Sequence, residues 1–333
     1  MSILDSIPEA IEVIRSGGVI IVVDDEDREN EGDFLTAARN VTPEIINFMA
    51  THGRGLICAP LIESRCDALD LDLMVTSNNA AYETPFTVSV DLIGDGCTTG
   101  ISASDRSKTI KALIDPATKP DVLGKPGHIF PLRAKAGGVL RRNGHTEAAI
   151  DFARLAGFEP AGVIVEILND DGTMARLPEL KKLADKHKMK LVSIADLISY
   201  RLEHETLIER TAEVQLNTEF GPFNAISYKQ LTDDVEHLAL IKGSWETQDA
   251  VPVRVHASSM IGDVFQVSDL GKGPQLHAAM SKIEEIGYGA VVFINKLHQG
   301  GGFAEELLAY ARYSKKQEKS GVFHPFDSKD YGI

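Results

Sequence analysis

Cysteine is scarce. Cys58, Cys66 and Cys97 are the whole complement, too few and odd in number for a disulfide framework, and they lack the paired spacing of a zinc motif. Basic residues are outnumbered, 34 Lys and Arg against 49 Asp and Glu, and a net charge of −15 argues against a surface for nucleic-acid backbone or anionic lipid. No apolar run approaches the roughly 18 residues of a membrane span. The start, Met1-Ser2-Ile3-Leu4-Asp5-Ser6, has neither the basic nor the apolar region of a signal peptide. Repeats and low-complexity tracts are also missing. These absences point to a reduced, cytoplasmic enzyme with no nucleic-acid and no membrane partner. What is present is ordinary: 43% hydrophobic residues over 333 positions build a sizeable core, and the length is nearer two domains than one.

Ser6 and Glu9 predict a capping box opening a helix that Gly17-Gly18 ends. Residues 19–23 are an apolar run expected as a buried strand, and Thr42-Pro43 opens a second helix with proline at its first position. Residues 86–91 alternate as a strand, residues 98–108 are a small-residue loop running into a helix, and residues 163–168 are an apolar strand interrupted by Glu166. Strands alternating with helices over about 200 residues predict an α/β or α+β domain. The texture then changes. Residues 194–205 read as a charged helix, followed by β-like segments at 213–216, 238–241 and 251–256. The boundary is expected near 205, and the remainder is large enough to fold alone. Residues 315–319 are expected as a solvated helix end.

Three segments carry chemistry. Residues 24–33 hold seven acidic side chains in ten and directly follow the first strand. A solvated loop is the plain reading of such a run. Strand ends are where α/β sites lie, however, and carboxylates packed together need a cation; Arg28 and a hard divalent ion would serve. The second segment, Gly137-Gly138-Val139-Leu140-Arg141-Arg142-Asn143-Gly144-His145-Thr146-Glu147, runs into apolar residues at helical spacing. Residues 143–146 therefore occupy a helix N-terminus. Either Thr146 caps that helix, or Arg142, the free N–H groups and the hydroxyl form an anion nest. In the third, Glu166 sits inside Val163-Ile164-Val165-Glu166-Ile167-Leu168, where desolvation raises a carboxyl toward the general acid/base range. His128, flanked by apolar residues, is either a hydrogen-bonded core imidazole or a proton exchanger. A metal site, an anion nest and two proton-transfer groups are the inventory that enolising a phosphorylated sugar requires.

The string from Asp24 to Asp33, with Thr98-Thr99-Gly100-Ile101-Ser102-Ala103, residues 127–132, Gly144-His145-Thr146-Glu147 and Glu166, resembles the 3,4-dihydroxy-2-butanone-4-phosphate synthase family of riboflavin biosynthesis. The resemblance covers about residues 1–203. It implies conversion of D-ribulose 5-phosphate to L-3,4-dihydroxy-2-butanone 4-phosphate and formate, with Mg²⁺ or Mn²⁺. It further implies an α+β domain, a mixed sheet with surrounding helices, forming a homodimer with active sites near the subunit interface. Carried over by position, Glu29 and His145 are metal ligands. Arg28, Glu29, Asp33, Arg142, Asn143, Gly144, His145, Thr146 and Glu166 are substrate contacts, and His128 and Glu166 are the proton-transfer pair. Val165 departs from the pattern, since relatives often carry cysteine there.

Beyond the synthase domain of residues 1–204, residues 205–333 resemble the smaller α/β domain of GTP cyclohydrolase II in Val253-Arg254-Val255-His256, Gly262-Asp263-Val264-Phe265 and Gly273-Pro274-Gln275-Leu276. That family holds Zn²⁺ with three cysteines, and alignment on the flanking glycines puts Ser259, Leu270 and Lys272 in their places. Leucine cannot ligate zinc and a protonated lysine opposes it. Residues 297–302 stand where a Gln-Glu-Gly-Arg segment is expected, and the sequence stops at Asp330-Tyr331-Gly332-Ile333, where relatives continue. His256, His298 and Asp263 are the other residues there that could recruit a metal. The expectation is no zinc and an inactive second domain. The alternatives are a bifunctional enzyme that also opens GTP, or a second domain that regulates by binding a nucleotide or flavin.

Overall fold

The computed structural model describes residues 3–267, 270–296 and 302–320. The chain divides into two compact units, Met1–Glu205 and Thr206–Ile333. In the first, α1 (Ile7–Arg15), β1 (Ile20–Val23), β2 (Gly32–Ala37), α2 (Pro43–Gly53), β3 (Cys58–Ile62) and α3 (Glu63–Ala68) are followed by β4 (Val90–Leu92), α4 (Ala103–Ile114) and β5 (Leu123–Ala134). Then come α5 (His145–Leu155), β6 (Gly162–Glu166), α6 (Leu177–His187), β7 (Leu191–Ser193) and α7 (Ile194–His204). The strands form one mixed seven-stranded sheet in the order β4-β5-β3-β6-β2-β1-β7. The fold is α+β with helices on both sheet faces.

That sandwich explains the unbroken apolar run in β1. Ile21 and Val23 pack with Phe34, Ile46 and Met49 on one face. Ile20 and Val22 pack with Leu35, Ile14 and Phe152 on the other. A strand buried on both faces has no polar side to show. Each fully buried side chain of this size contributes about 1.5–3 kcal/mol. At α1 the Ser6 amide donates to Glu9, as the capping pattern requires.

Two features place chemistry at the ends of interior strands. The acidic segment is the connection between antiparallel β1 and β2. Strand β6 runs antiparallel to β2 in a register that sets Glu166 opposite Asp33. Glu166 therefore ends its strand instead of interrupting it. The expected strand at 86–91 is mostly not one. Phe86 and Thr87 make isolated bridges, and β4 begins only at Val90, where the register with β5 shifts. The period-two pattern there comes from single bridges on a looped segment.

The second unit contains β8 (Ile208–Thr218), β9 (Gly221–Gln230), β10 (Glu236–Lys242), β11 (Val253–Ala257), α8 (Lys272–Ile286), β12 (Gly289–Ile294) and α9 (Gly302–Ser320). Its five strands are ordered β11-β12-β10-β9-β8. Met280 and Ile283 of α8 cover Phe223, Ala225, Leu240 and Val291 of the sheet. Residues 297–301 (with His298) and 330–333 lie outside the described residues, as do the side chains of residues 315–319. No helix among the described residues is long and apolar enough to cross a membrane.

Candidate active site

The acidic segment is organised by its first residue. Asp24 is buried, and its carboxylate accepts from the Arg28 guanidinium at 2.8 Å and from the backbone amides of Glu29 and Glu31 at 3.1 and 2.8 Å. Three donors on one anion turn a repulsive run into a defined loop. The loop presents Glu29 beside His145, and ligand atoms of Asp24, Glu29 and His145 all lie within 4.8 Å of one another. His145 is buried at the start of α5, with Nε2 3.1 Å from the Val22 carbonyl of β1. A carbonyl only accepts, so Nε2 carries the proton. Burial lowers the imidazole pKa against the pull of Asp24 and Glu29, so the ring is neutral and Nδ1 keeps its lone pair. A histidine oriented through its second nitrogen in this way is set up to ligate a metal.

Helix α5 starts at Gly144 without a side-chain cap, and Thr146 lies buried within its first turn. The capping alternative for Thr146 therefore falls away. A methyl group at Gly144 would stand 2.4 Å from Arg142 Nη1 and 3.1 Å from Arg28 Nη2. Glycine is what lets two guanidinium groups converge on this helix N-terminus, where free N–H groups already favour an anion. Arg142 is pinned by buried Glu147 at 2.7 Å and by the Tyr82 carbonyl at 3.1 Å. The Tyr82 ring lies 5.1 Å from the Arg28 guanidinium carbon.

Arg28, Glu29, Arg142, His145 and Thr146 line one cavity of about 200 Å³, together with Glu31, Asp33, Cys58, Thr84, Phe86, Leu132, Ile164 and Glu166. Glu166 accepts from the Leu56 amide at 2.8 Å, and burial raises its pKa. Asp33 is held well above the usual carboxylate range by burial and by Glu166, Glu31 and Glu29. Its Oδ1 is buried and has no hydrogen-bond partner among the described residues. Carboxylates in this excess, with one orphaned oxygen, fit a hard cation and a hydroxylated ligand.

The sequence model for 3,4-dihydroxy-2-butanone 4-phosphate synthase matches residues 8–200, and that for GTP cyclohydrolase II matches residues 209–333. Riboflavin biosynthesis protein RibBA of Cytophaga hutchinsonii is 59% identical over 99% of this chain and 82% of its own. The chain belongs to the 3,4-dihydroxy-2-butanone 4-phosphate synthase family. It is a lyase of riboflavin biosynthesis in which a synthase domain is fused to a GTP cyclohydrolase II domain. Among solved structures, RibBX of A. baumannii, described as a two-domain 3,4-dihydroxy-2-butanone 4-phosphate synthase, matches with a TM-score of 0.73 at 41% identity, over 99% of this chain and 91% of that one. A synthase in complex with two magnesium ions matches with a TM-score of 0.59 at 43% identity, over 60% of this chain and 98% of that one.

Within this synthase the expected site residues Arg28, Glu29, Asp33, Arg142, His145, Thr146 and Glu166 meet at the cavity. Gly144 is buried against the Arg142 and Arg28 guanidinium groups, and Asn143 is exposed. His128 is not among the lining residues. It lies on β5 with a partly exposed ring, and its Nδ1 is 2.6 Å from Asp91 Oδ2. Residue-by-residue reading missed Asp24 as loop organiser, Glu147 as the clamp on Arg142 and Tyr82 as the bridge between the two arginines. Asp24, as the first acid after the strand, and Glu147, as the end of the motif at 144–147, carried a signal; Tyr82 carried none. Cys58 lines the cavity, and burial raises its thiol pKa well above the usual range, which disfavours the thiolate.

In the second domain, Leu270 packs in a small apolar cluster with Ile261 and Tyr313. The Ser259 hydroxyl donates to buried Glu306 at 2.6 Å, and His256 Nε2 is 2.9 Å from Asp263. Burial lowers the pKa of Lys272 against the pull of Asp263 and Glu306. A hydroxyl, an alkyl chain and an amine do not fit a thiolate-bound zinc ion.

Proposed function

We propose that this cavity converts D-ribulose 5-phosphate to L-3,4-dihydroxy-2-butanone 4-phosphate and formate, with Mg²⁺ or Mn²⁺ held by Glu29 and His145. The observation that carries the proposal is their approach, within 4.8 Å together with Asp24, beside a helix N-terminus that two arginines share. Asp24 already satisfies three N–H donors and serves as the organiser of the ligand loop. The cation, when bound, would supply positive charge for the sugar's carbonyl and hydroxyl oxygens. Arg28, Arg142, the Thr146 hydroxyl and the amides at the start of α5 hold the phosphate. Asp33, whose buried Oδ1 has no hydrogen-bond partner among the described residues, pairs with a substrate hydroxyl. Glu166 exchanges a proton with substrate carbon or oxygen, a role its raised pKa suits.

His128 stands outside the lining of this cavity. We assign it as the second proton-transfer group, acting on the cavity of the partner subunit in a cytoplasmic homodimer. Formate release from ribulose 5-phosphate with Mg²⁺, and its loss on chelation, tests the assignment. A folded, metal-loaded protein that releases no formate would overturn it.

The second domain is read as having lost zinc and cyclohydrolase chemistry, which the residue types at 259, 270 and 272 support. The match of residues 209–333 to GTP cyclohydrolase II favours the alternative of retained GTP opening. Elemental zinc and pyrophosphate release from GTP separate the two: stoichiometric zinc with turnover establishes the alternative.

A further inference from the structure

Asp91 grips His128 twice. Its Oδ1 accepts from the His128 backbone amide at 2.9 Å, and its Oδ2 stands 2.6 Å from Nδ1 of the ring. Two glycines make this approach possible. A methyl group at Gly127 would lie 2.0 Å from the Val90 carbonyl carbon, so glycine lets β5 close on β4 where the register shifts. A methyl group at Gly100, which has φ +91°, would lie 2.0 Å from Asp91 Oδ2. Gly100 belongs to a turn locked by Asp105, whose Oδ2 accepts from the Thr98 amide, the Thr98 hydroxyl and the Gly100 amide at 2.7–3.1 Å. Ser102 in turn caps Asp105 at 3.0 Å, and the Leu92 amide is fixed to the Thr109 hydroxyl at 3.0 Å. The segment 98–105 thus backs Asp91, and Asp91 backs His128.

We infer that Asp91 is a positioning residue for the reaction, fixing His128 as the Nδ1–H tautomer with Nε2 free to exchange a proton. The chemistry is that of an acceptor facing a ring nitrogen: a carboxylate oxygen accepts, so Nδ1 donates, and in the neutral imidazole the lone pair lies on Nε2. The two-point grip also removes rotation about the ring's side-chain bonds, so Nε2 is aimed before substrate arrives. The inference rests on the reading of His128 as a proton-transfer group.

The test compares His128→Gln, Asp91→Asn, Gly100→Ala and the double variant Asp91→Asn/His128→Gln, following formate release from ribulose 5-phosphate in the full chain with Mg²⁺. His128→Gln should lower kcat by about 10²–10⁴-fold, the range of one general acid/base group. Asp91→Asn should lower kcat by at least about tenfold with KM nearly unchanged, because it disturbs the proton exchanger and not substrate binding. It should cost nothing more in the His128→Gln background. Nitrogen-15 NMR of the ring should report Nδ1–H in the wild type and Nε2–H in Asp91→Asn. Gly100→Ala, which displaces the carboxylate without removing it, should reproduce the kcat loss and decides the matter should Asp91→Asn not fold. Wild-type kcat in Asp91→Asn, or fully additive losses in the double variant, overturns the positioning role while leaving His128 in place. Wild-type activity in His128→Gln overturns the reading of His128 itself.

Discussion

Gly144→Ala adds a single methyl group at the point where the two arginines meet. The backbone there has φ −112°, so alanine brings no backbone strain. The cost arises from the 2.4 Å approach of the new methyl to Arg142 Nη1 and the 3.1 Å approach to Arg28 Nη2. Arg28 cannot yield easily, since it is tied to buried Asp24 at 2.8 Å. Arg142 must swing away, abandoning the geometry set by Glu147 at 2.7 Å and Tyr82 at 3.1 Å. Losing one charge-assisted contact to a phosphoryl group costs about 1.5–3 kcal/mol. That is roughly a 10- to 150-fold rise in KM for ribulose 5-phosphate. Proton-transfer groups and metal ligands are untouched, so kcat should hold within about threefold. Formate release measured over a substrate titration reads both constants. An unchanged KM in folded Gly144→Ala would refute the placing of the phosphate at this helix end.

Asp24→Ala removes the acceptor that holds the acidic loop, and should weaken Mn²⁺ or Mg²⁺ binding by about 10–100-fold in calorimetry, the usual cost of losing an orienting partner. Glu147→Ala leaves the Arg142 guanidinium and the Lys135 amide without their buried partner, and should cost about 3–5 kcal/mol in urea unfolding. Glu9 offers a test of acid stability. Its pKa is lowered to about 2, first by the hydrogen bond from Lys190 and then by Ser6. A depressed carboxylate stabilises the fold above its ordinary pKa, and that contribution is lost as the pH falls through the folded value. The Tm of Glu9→Gln should therefore trail the wild type at pH 7, and the gap should close between about pH 4.5 and pH 2. A gap independent of pH would exclude the carboxylate as its source.

How much of this was legible in the chain follows from what each signal depends on. The run in β1, the capping residues of α1 and the glycine-led start of α5 are local, since they depend on neighbours within a few positions, and those elements form where expected. The site residues of the acidic loop, of residues 142–146 and of Glu166 were legible because residue types rarely buried together carried them. The expected strand at 86–91 failed because period-two spacing cannot distinguish a ladder from the isolated bridges that Phe86 and Thr87 make to two different partners. Twelve-residue β5, with its polar and glycine-rich first half, carried no strand pattern at all.

The chain by itself determined the kinds of chemistry on offer: carboxylates, imidazoles and guanidinium groups in an acidic protein, and a hydroxyl, an alkyl chain and an amine at positions 259, 270 and 272. Only the tertiary structure decided which of those groups work together. Asp33 and Glu166 are 133 positions apart and become opposite partners through the register of β2 and β6. His145 meets Glu29 because α5 docks its first turn on the end of β1. His128, chemically a match for Glu166, is instead handed to Asp91. Hydrogen-bond register and helix docking are set by packing across the whole sheet, and no short stretch of sequence contains that information.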